Sequence, residues 1–102
     1  MTITNEKNNG KLTVNIEGRL DTTTAPELEK FLGGNTDGIT DIVIDMTKLE
    51  YISSAGLRVL LAAHKKISQT GTLKLVNVCD EVMEVFEMTG FTDILDIEQK
   101  SM

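Results

Sequence analysis

Ser53 and Ser54 are the residues whose types and spacing could do chemistry in this chain. They stand in Ile52-Ser53-Ser54-Ala55-Gly56-Leu57, between a stretch that reads as a strand and one that reads as a helix. Either hydroxyl can accept from an unpaired N–H of a first helical turn, so both suit an N-cap. No Glu or Gln follows three residues after either serine, and no acid lies in the first turn. Arg58 stands one turn on instead, which the positive end of a helix dipole disfavours. Such a start has free capacity for an anion. Two readings stay open: the serines cap and do nothing more, or Ser54 carries a phosphate toward which Arg58 leans back.

Other chemistry is thin. His64 is the single histidine, more than two helical turns from Ser54. That is roughly 15 Å of rise, too far for a Ser–His pair, so His64 reads as a partly buried helix residue. Clustered metal ligands are absent, as are GxxxxGK[ST] and GxGxxG loops. Cys79, Met83 and Met88 read as packing residues. No catalytic residue, metal or cofactor is expected. Asp21 and Asp45 remain, each near the end of a predicted strand. They are turn residues, or they line an acidic pocket beside a modifiable hydroxyl that a partner could read.

The elements that must position these residues follow from periodicity. Residues 1–6 predict an edge strand, and Asn9-Gly10 a hairpin turn. Residues 11–18 alternate, with Leu12, Val14 and Ile16 on one face, which predicts a half-exposed antiparallel strand. A helix capped near Thr24, with Pro26 in its first turn, should run through Leu28, Phe31 and Leu32 to Gly33-Gly34. Residues 41–46 contain Ile42-Val43-Ile44, a run that predicts a central strand covered on both faces. The serine junction then opens a helix over 54–69, with Leu57, Leu60, Leu61, His64 and Ile67 as its apolar stripe and Gly71 at its close. A strand over 72–78 completes a right-handed parallel βαβ unit. Asp80 can cap a last helix, whose stripe is Val82, Val85, Phe86 and Thr89 and whose stop is Gly90. Ile94, Leu95 and Ile97 suggest a short final strand, and 98–102 a frayed tail.

The chain has 102 residues, 40% hydrophobic but only 4% aromatic, so one domain over 1–102 with an aliphatic core is expected. The fold class is α/β: a small domain with a four- to five-stranded mixed sheet and helices mainly on one face. Net charge is -6 with no basic run, which argues against nucleic acid and against anionic membrane surfaces. No segment approaches the ~20 apolar residues of a membrane span, and no signal peptide is visible. A single cysteine excludes an internal disulfide and suits a reducing compartment, so a cytoplasmic location is expected. No long apolar stripe is left after the core is built, which predicts a monomer.

At these residues the sequence resembles the anti-sigma factor antagonists of the STAS domain family. Gly18-Arg19-Leu20-Asp21 followed by Thr24-Ala25-Pro26 is similar to that family's G-x-L-D-x-x-T-A segment. Asp45 to Leu49 and then Ile52-Ser53-Ser54-Ala55-Gly56-Leu57 resembles its signature around a phosphorylated serine. Thr89-Gly90-Phe91 resembles its late turn. The resemblance implies a binding protein, not an enzyme. Unphosphorylated, such a protein binds an anti-sigma factor that is itself a GHKL-type serine kinase, and so frees a sigma factor. Phosphorylation ends the binding, and a PP2C-type phosphatase restores it. The motif places the acceptor at Ser54, with Ser53 as runner-up where many relatives carry Asp. It implies a partner-binding surface of Asp21, Thr22, Ser53, Ser54, Ala55, Gly56 and Arg58. Ala55 and Gly56 would keep that surface low enough for a kinase to approach. The competing reading is a STAS scaffold, an accessory subunit of a transporter or signalling complex with no phosphorylation cycle. A small-molecule binding domain is a third class, for which no phosphate cradle is visible.

Overall fold

Asn9 and Gly10 reverse the chain with φ of 49° and 82°. Two successive positive φ values match the twist of a two-residue hairpin. They set the antiparallel register of β1 (Thr2–Asn8) against β2 (Lys11–Leu20), with Asn8 opposite Lys11. The computed structural model describes residues 1–100. After β2 come α1 (Ala25–Gly34), β3 (Asp41–Ile52), α2 (Ser54–Ile67), β4 (Thr72–Val78), α3 (Asp80–Thr89) and β5 (Asp96–Gln99). A single 3-10 turn, Phe91–Asp93, links α3 to β5.

The strands lie in the order β1-β2-β3-β4-β5, and every pair after the first is parallel. The sheet is therefore mixed. β2, expected to be antiparallel, is so toward β1 alone and runs parallel to β3. Each parallel step passes through a helix and the strand order never reverses, so right-handed crossovers put the helices on one face.

That face holds the core. Leu12, Ile42 and Leu73 form one row across the strands, and Val14, Ile44 and Leu75 the next. All six are buried. Between them Val43, Asp45, Lys74 and Val76 point the other way and are half-buried. The expectation that β3 is covered on both faces is thus corrected. Ile42-Val43-Ile44 is continuous because a β-branched residue also suits an open sheet face. β3 is also longer than expected and runs straight to the serine junction at Ile52.

Smaller corrections have local causes. In α2 the buried side chains are Leu57, Val59, Leu60 and Ile67, while Leu61 and His64 are half-buried. The helix ends two residues earlier than expected, at Ile67. Gly71 does not serve there as a left-handed cap. A Cβ on it would stand 1.6 Å from the Thr40 carbonyl oxygen, and the next amide, Thr72, donates to that same oxygen at 2.8 Å. Gly71 is the price of a close backbone approach that opens β4. In α3, Met83 is buried where Thr89 was expected; the Thr89 hydroxyl bonds back to the Val85 carbonyl at 2.8 Å. Asp80 makes no side-chain cap, and Cys79 takes the cap position. Gly90 ends α3 with φ 78°, as its place in the sequence predicts. Residues 98 and 99, assigned to a frayed tail, belong to β5, and the Lys100 amide donates to Val78 at 2.9 Å. Residues 101 and 102 lie outside the described residues.

Candidate functional site

β2 and β3 finish side by side, with Leu20 paired to Ile52. The Ser53 amide then donates to the Leu20 carbonyl at 2.9 Å. Two chain segments therefore leave the sheet at one point: the turn from Asp21 into α1, and Ser53 into α2.

The first turn is tied by Asp21. Its Oδ1 accepts from the amides of Thr23 at 3.0 Å and Thr24 at 3.1 Å. Thr24, expected as the cap of α1, makes no cap bond. Its hydroxyl instead donates to the Arg19 carbonyl at 2.7 Å and accepts from the Asp21 amide at 2.8 Å. The Thr24 amide holds the Asp21 carboxyl below its ordinary range. Partial desolvation opposes this, while the Thr23 amide, the Thr24 hydroxyl and the Arg19 charge reinforce it.

The second turn is unusual for what it leaves unmade. Ser53 occupies the N-cap position of α2 with extended backbone, φ -104° and ψ 174°. Its side chain makes no cap bond. Its Oγ is buried and has no partner. Ser54 is the first helical residue and is exposed. Both serines were expected to be able to cap; neither hydroxyl does. The first turn thus carries free amides, no acid, and one accessible hydroxyl, that of Ser54.

The other named residues divide. Thr22 and Arg58 are exposed, Asp21 and Ala55 half-buried. Gly56 is buried and faces inward, where a Cβ would lie 2.7 Å from Leu20 Cγ and 3.0 Å from Ile52 Cγ1. It seats the helix on the strand ends, so its missing side chain serves the packing of α2 on β2 and β3. Asp45 lies seven residues before Ile52 along β3, on the order of 20 Å away. It does not share a pocket with the serines. Burial pushes its carboxyl up, but the Thr47 hydroxyl and amide and the Asn77 side-chain amide together bring it below its ordinary range. Asp45 ties the irregular stretch of β3 to Asn77, a left-handed residue of β4 with φ 57°.

Two residues at the site were missed in the sequence. The Arg19 guanidinium carbon lies 4.2 Å from the centre of the Tyr51 ring, and Arg19 Nε is 3.9 Å from Asp21 Oδ2. Tyr51 is 41% exposed, one of three large apolar side chains so placed among the described residues. Arg19 and Tyr51 are register partners, one step before Leu20 and Ile52. Both sequence segments were singled out, but their pairing was not visible there. Elsewhere, His64 is half-buried with an unpartnered Nδ1, and the Cys79 thiol lies 3.6 Å from the Leu49 carbonyl. Met83 is buried, whereas Met88 is 86% exposed. Among the described residues no group of three or more His, Cys, Asp or Glu could hold a metal ion, and no helix is long and apolar enough to cross a membrane.

The family model described as STAS domain matches residues 2–101. BtrV of Bordetella bronchiseptica, named as a candidate anti-sigma factor antagonist, is 38% identical over 99 residues, which cover 95% of this chain and 85% of BtrV. The anti-sigma-B factor antagonist of Bacillus subtilis is 34% identical over 97 residues, 94% of this chain and 89% of that protein. Among solved structures, an anti-sigma factor antagonist from Mycobacterium paratuberculosis superposes with a TM-score of 0.86 at 26% identity, covering 95% of this chain and 84% of that one. Phosphorylated SpoIIAA of Bacillus, at 16% identity and a TM-score of 0.73 over 94% of this chain and 90% of that one, shares the fold.

Proposed function

The chain belongs to the STAS domain family, and on that premise we propose that it acts as an anti-sigma factor antagonist, switched off by phosphorylation of Ser54. It is a binding protein. Its partner when unphosphorylated is an anti-sigma factor that is a GHKL-type serine kinase, and a PP2C-type phosphatase reverses the modification. The names of its relatives support the first part of this reading. The observation that carries the second is the contrast between the two hydroxyls: Ser54 is exposed at an uncapped helix start, while Ser53 Oγ is buried.

The physics of the switch follows from place. A phosphate adds about -1.5 to -2 charges. At the first residue of α2 the helix dipole and free amides tolerate them, so the domain keeps its fold. The effect falls on the contact surface. Asp21 already lies at this end of the sheet, and its depressed pKa keeps it ionised. A partner surface matched to Ser54, Thr22 and the Arg19–Tyr51 pair would have to desolvate a dianion. Such a charge left unpaired costs several kcal/mol, on the order of a hundredfold or more in affinity.

The test is intact-mass spectrometry after incubation with ATP and a candidate GHKL-type anti-sigma kinase, alongside Ser53→Ala and Ser54→Ala. One phosphate, lost in Ser54→Ala alone, is the expected result. Loss in Ser53→Ala alone would keep the function and move the acceptor. No phosphate with any cognate kinase on a folded chain would favour a scaffold subunit instead.

A further inference from the structure

Along α2 from Val59 to its C-terminal end, a cavity of about 640 Å³ opens between α1, α2 and the loop before β3. Its floor is made by Leu32, Ile39, Ile42, Val59 and Ile67, all buried core residues. That volume lies in the range that holds a small organic ligand. α2 lines the cavity from Val59 onward, so its near wall is about 8 Å of helix rise from Ser54, which is not part of the lining. The phosphorylation site does not use it.

Two features define what would fit. The first is Gly33, a helical residue on the cavity wall. A Cβ there would meet nothing within 4 Å, and its φ is not positive. Glycine weakens a helix relative to alanine, and neither sterics nor backbone geometry demands it here. A larger side chain there would extend into the open space of the cavity. The second is charge. Glu29 and Asp37 stand against the single ammonium of Lys66, and none of the three is in an ion pair among the described residues. α1 ends here with no basic residue in its last turn, and the neutral Asn35 side-chain amide donates to the Phe31 carbonyl at 2.8 Å. An apolar floor therefore lies under a net negative mouth.

We propose that this cavity is a second binding site, for a small organic cation with an apolar body and one protonated amine. The body covers the aliphatic floor. The amine stays at the mouth with Glu29 and Asp37, away from Lys66. A carboxylate of the same shape meets like charge and is rejected.

The probe is tryptamine, titrated into the isotope-labelled full chain and followed by amide chemical shifts. Indole-3-propionate supplies the same ring with the opposite charge. Tryptamine is expected to give saturable shifts clustered at Leu32, Gly33, Ala63 and Ile67, with an affinity at least about tenfold above that of the carboxylate. Gly33→Leu fills the space and should abolish saturation with the melting temperature unchanged or raised. Ala63→Leu does the same from α2 and serves if Gly33→Leu disturbs α1. Glu29→Gln combined with Asp37→Asn should lower the preference for the amine to about threefold or less. Absence of saturable shifts, shifts scattered over the acidic surface, or equal binding of the carboxylate would overturn the proposal, as would binding that survives both filled variants.

Discussion

A Cβ placed on Gly56 would stand 2.7 Å from Leu20 Cγ, closer than real carbon atoms approach. Leu20 is fully buried at the end of β2, and Gly56 lies in the first turn of α2. The contact fixes how near the helix start comes to the strand ends, and so where Ser54 is presented. Gly56→Ala gains some helix propensity, about 1 kcal/mol, but overpacks the junction by about 1–3 kcal/mol. A net loss of up to about 2 kcal/mol in urea unfolding is expected. The rate of Ser54 phosphorylation should fall as well, because the junction must shift to admit the methyl group.

Ser53→Ala is expected to behave unlike a lost cap. An N-cap serine replaced by alanine ordinarily costs about 1 kcal/mol. Here the hydroxyl is buried without a partner, so its removal ends a desolvation penalty. Stability should stay level or rise by up to about 1 kcal/mol, measured by urea unfolding. A loss of the usual cap size would show that the Ser53 hydroxyl does bond the first turn in solution.

Gly71→Ala should be among the most damaging single substitutions. The new Cβ would overlap the Thr40 carbonyl at 1.6 Å, and backbone cannot swing aside as a side chain can. The Thr72-to-Thr40 bond that opens β4 would be lost with it. A cost of at least about 3 kcal/mol is expected, read as a fall in urea midpoint with an unchanged slope.

Acid stability should depend on Asp45. Its carboxyl is depressed in the folded chain, so the unfolded chain binds the proton more tightly. The stabilisation is complete above the ordinary carboxylate pKa near 3.8 and is lost as pH falls through the lower folded value. Urea midpoints measured from pH 6 down to about pH 3 should fall less steeply in Asp45→Asn than in the parent chain. Asp21 is depressed as well, so Asp45→Asn retains a second acid limb that Asp21→Asn would remove.

If Ser54 is the acceptor, phosphorylated and unphosphorylated chains should unfold within about 1 kcal/mol of each other, because a phosphate there would sit at an uncapped helix start. Ala55→Leu tests access rather than stability. Ala55 is half-buried beside Ser54, the proposed acceptor, and a larger side chain there should slow phosphorylation while the circular dichroism spectrum is retained. An unchanged rate would mean that the kinase approaches from the strand side, over Arg19 and Tyr51.

Much of this protein is local, and the local part was legible in the sequence. Asn9-Gly10 specifies its hairpin because both residues tolerate positive φ. Leu12, Val14 and Ile16 alternate into the core, and Gly90 ends α3 in the left-handed conformation. The serine junction announced a helix start with room for an anion. What the tertiary structure decided is everything that depends on register between strands remote in sequence. Pairing Leu20 with Ile52 put Arg19 on Tyr51 and turned Gly56 inward. It left Asp45 far from the serines, bonded to Asn77 across the sheet. It buried one serine hydroxyl and exposed the other, though both residues have the same chemistry and nearly the same neighbours in the chain. Periodicity states which face a side chain takes on its own element. Only the packing of one element on another states what that face meets.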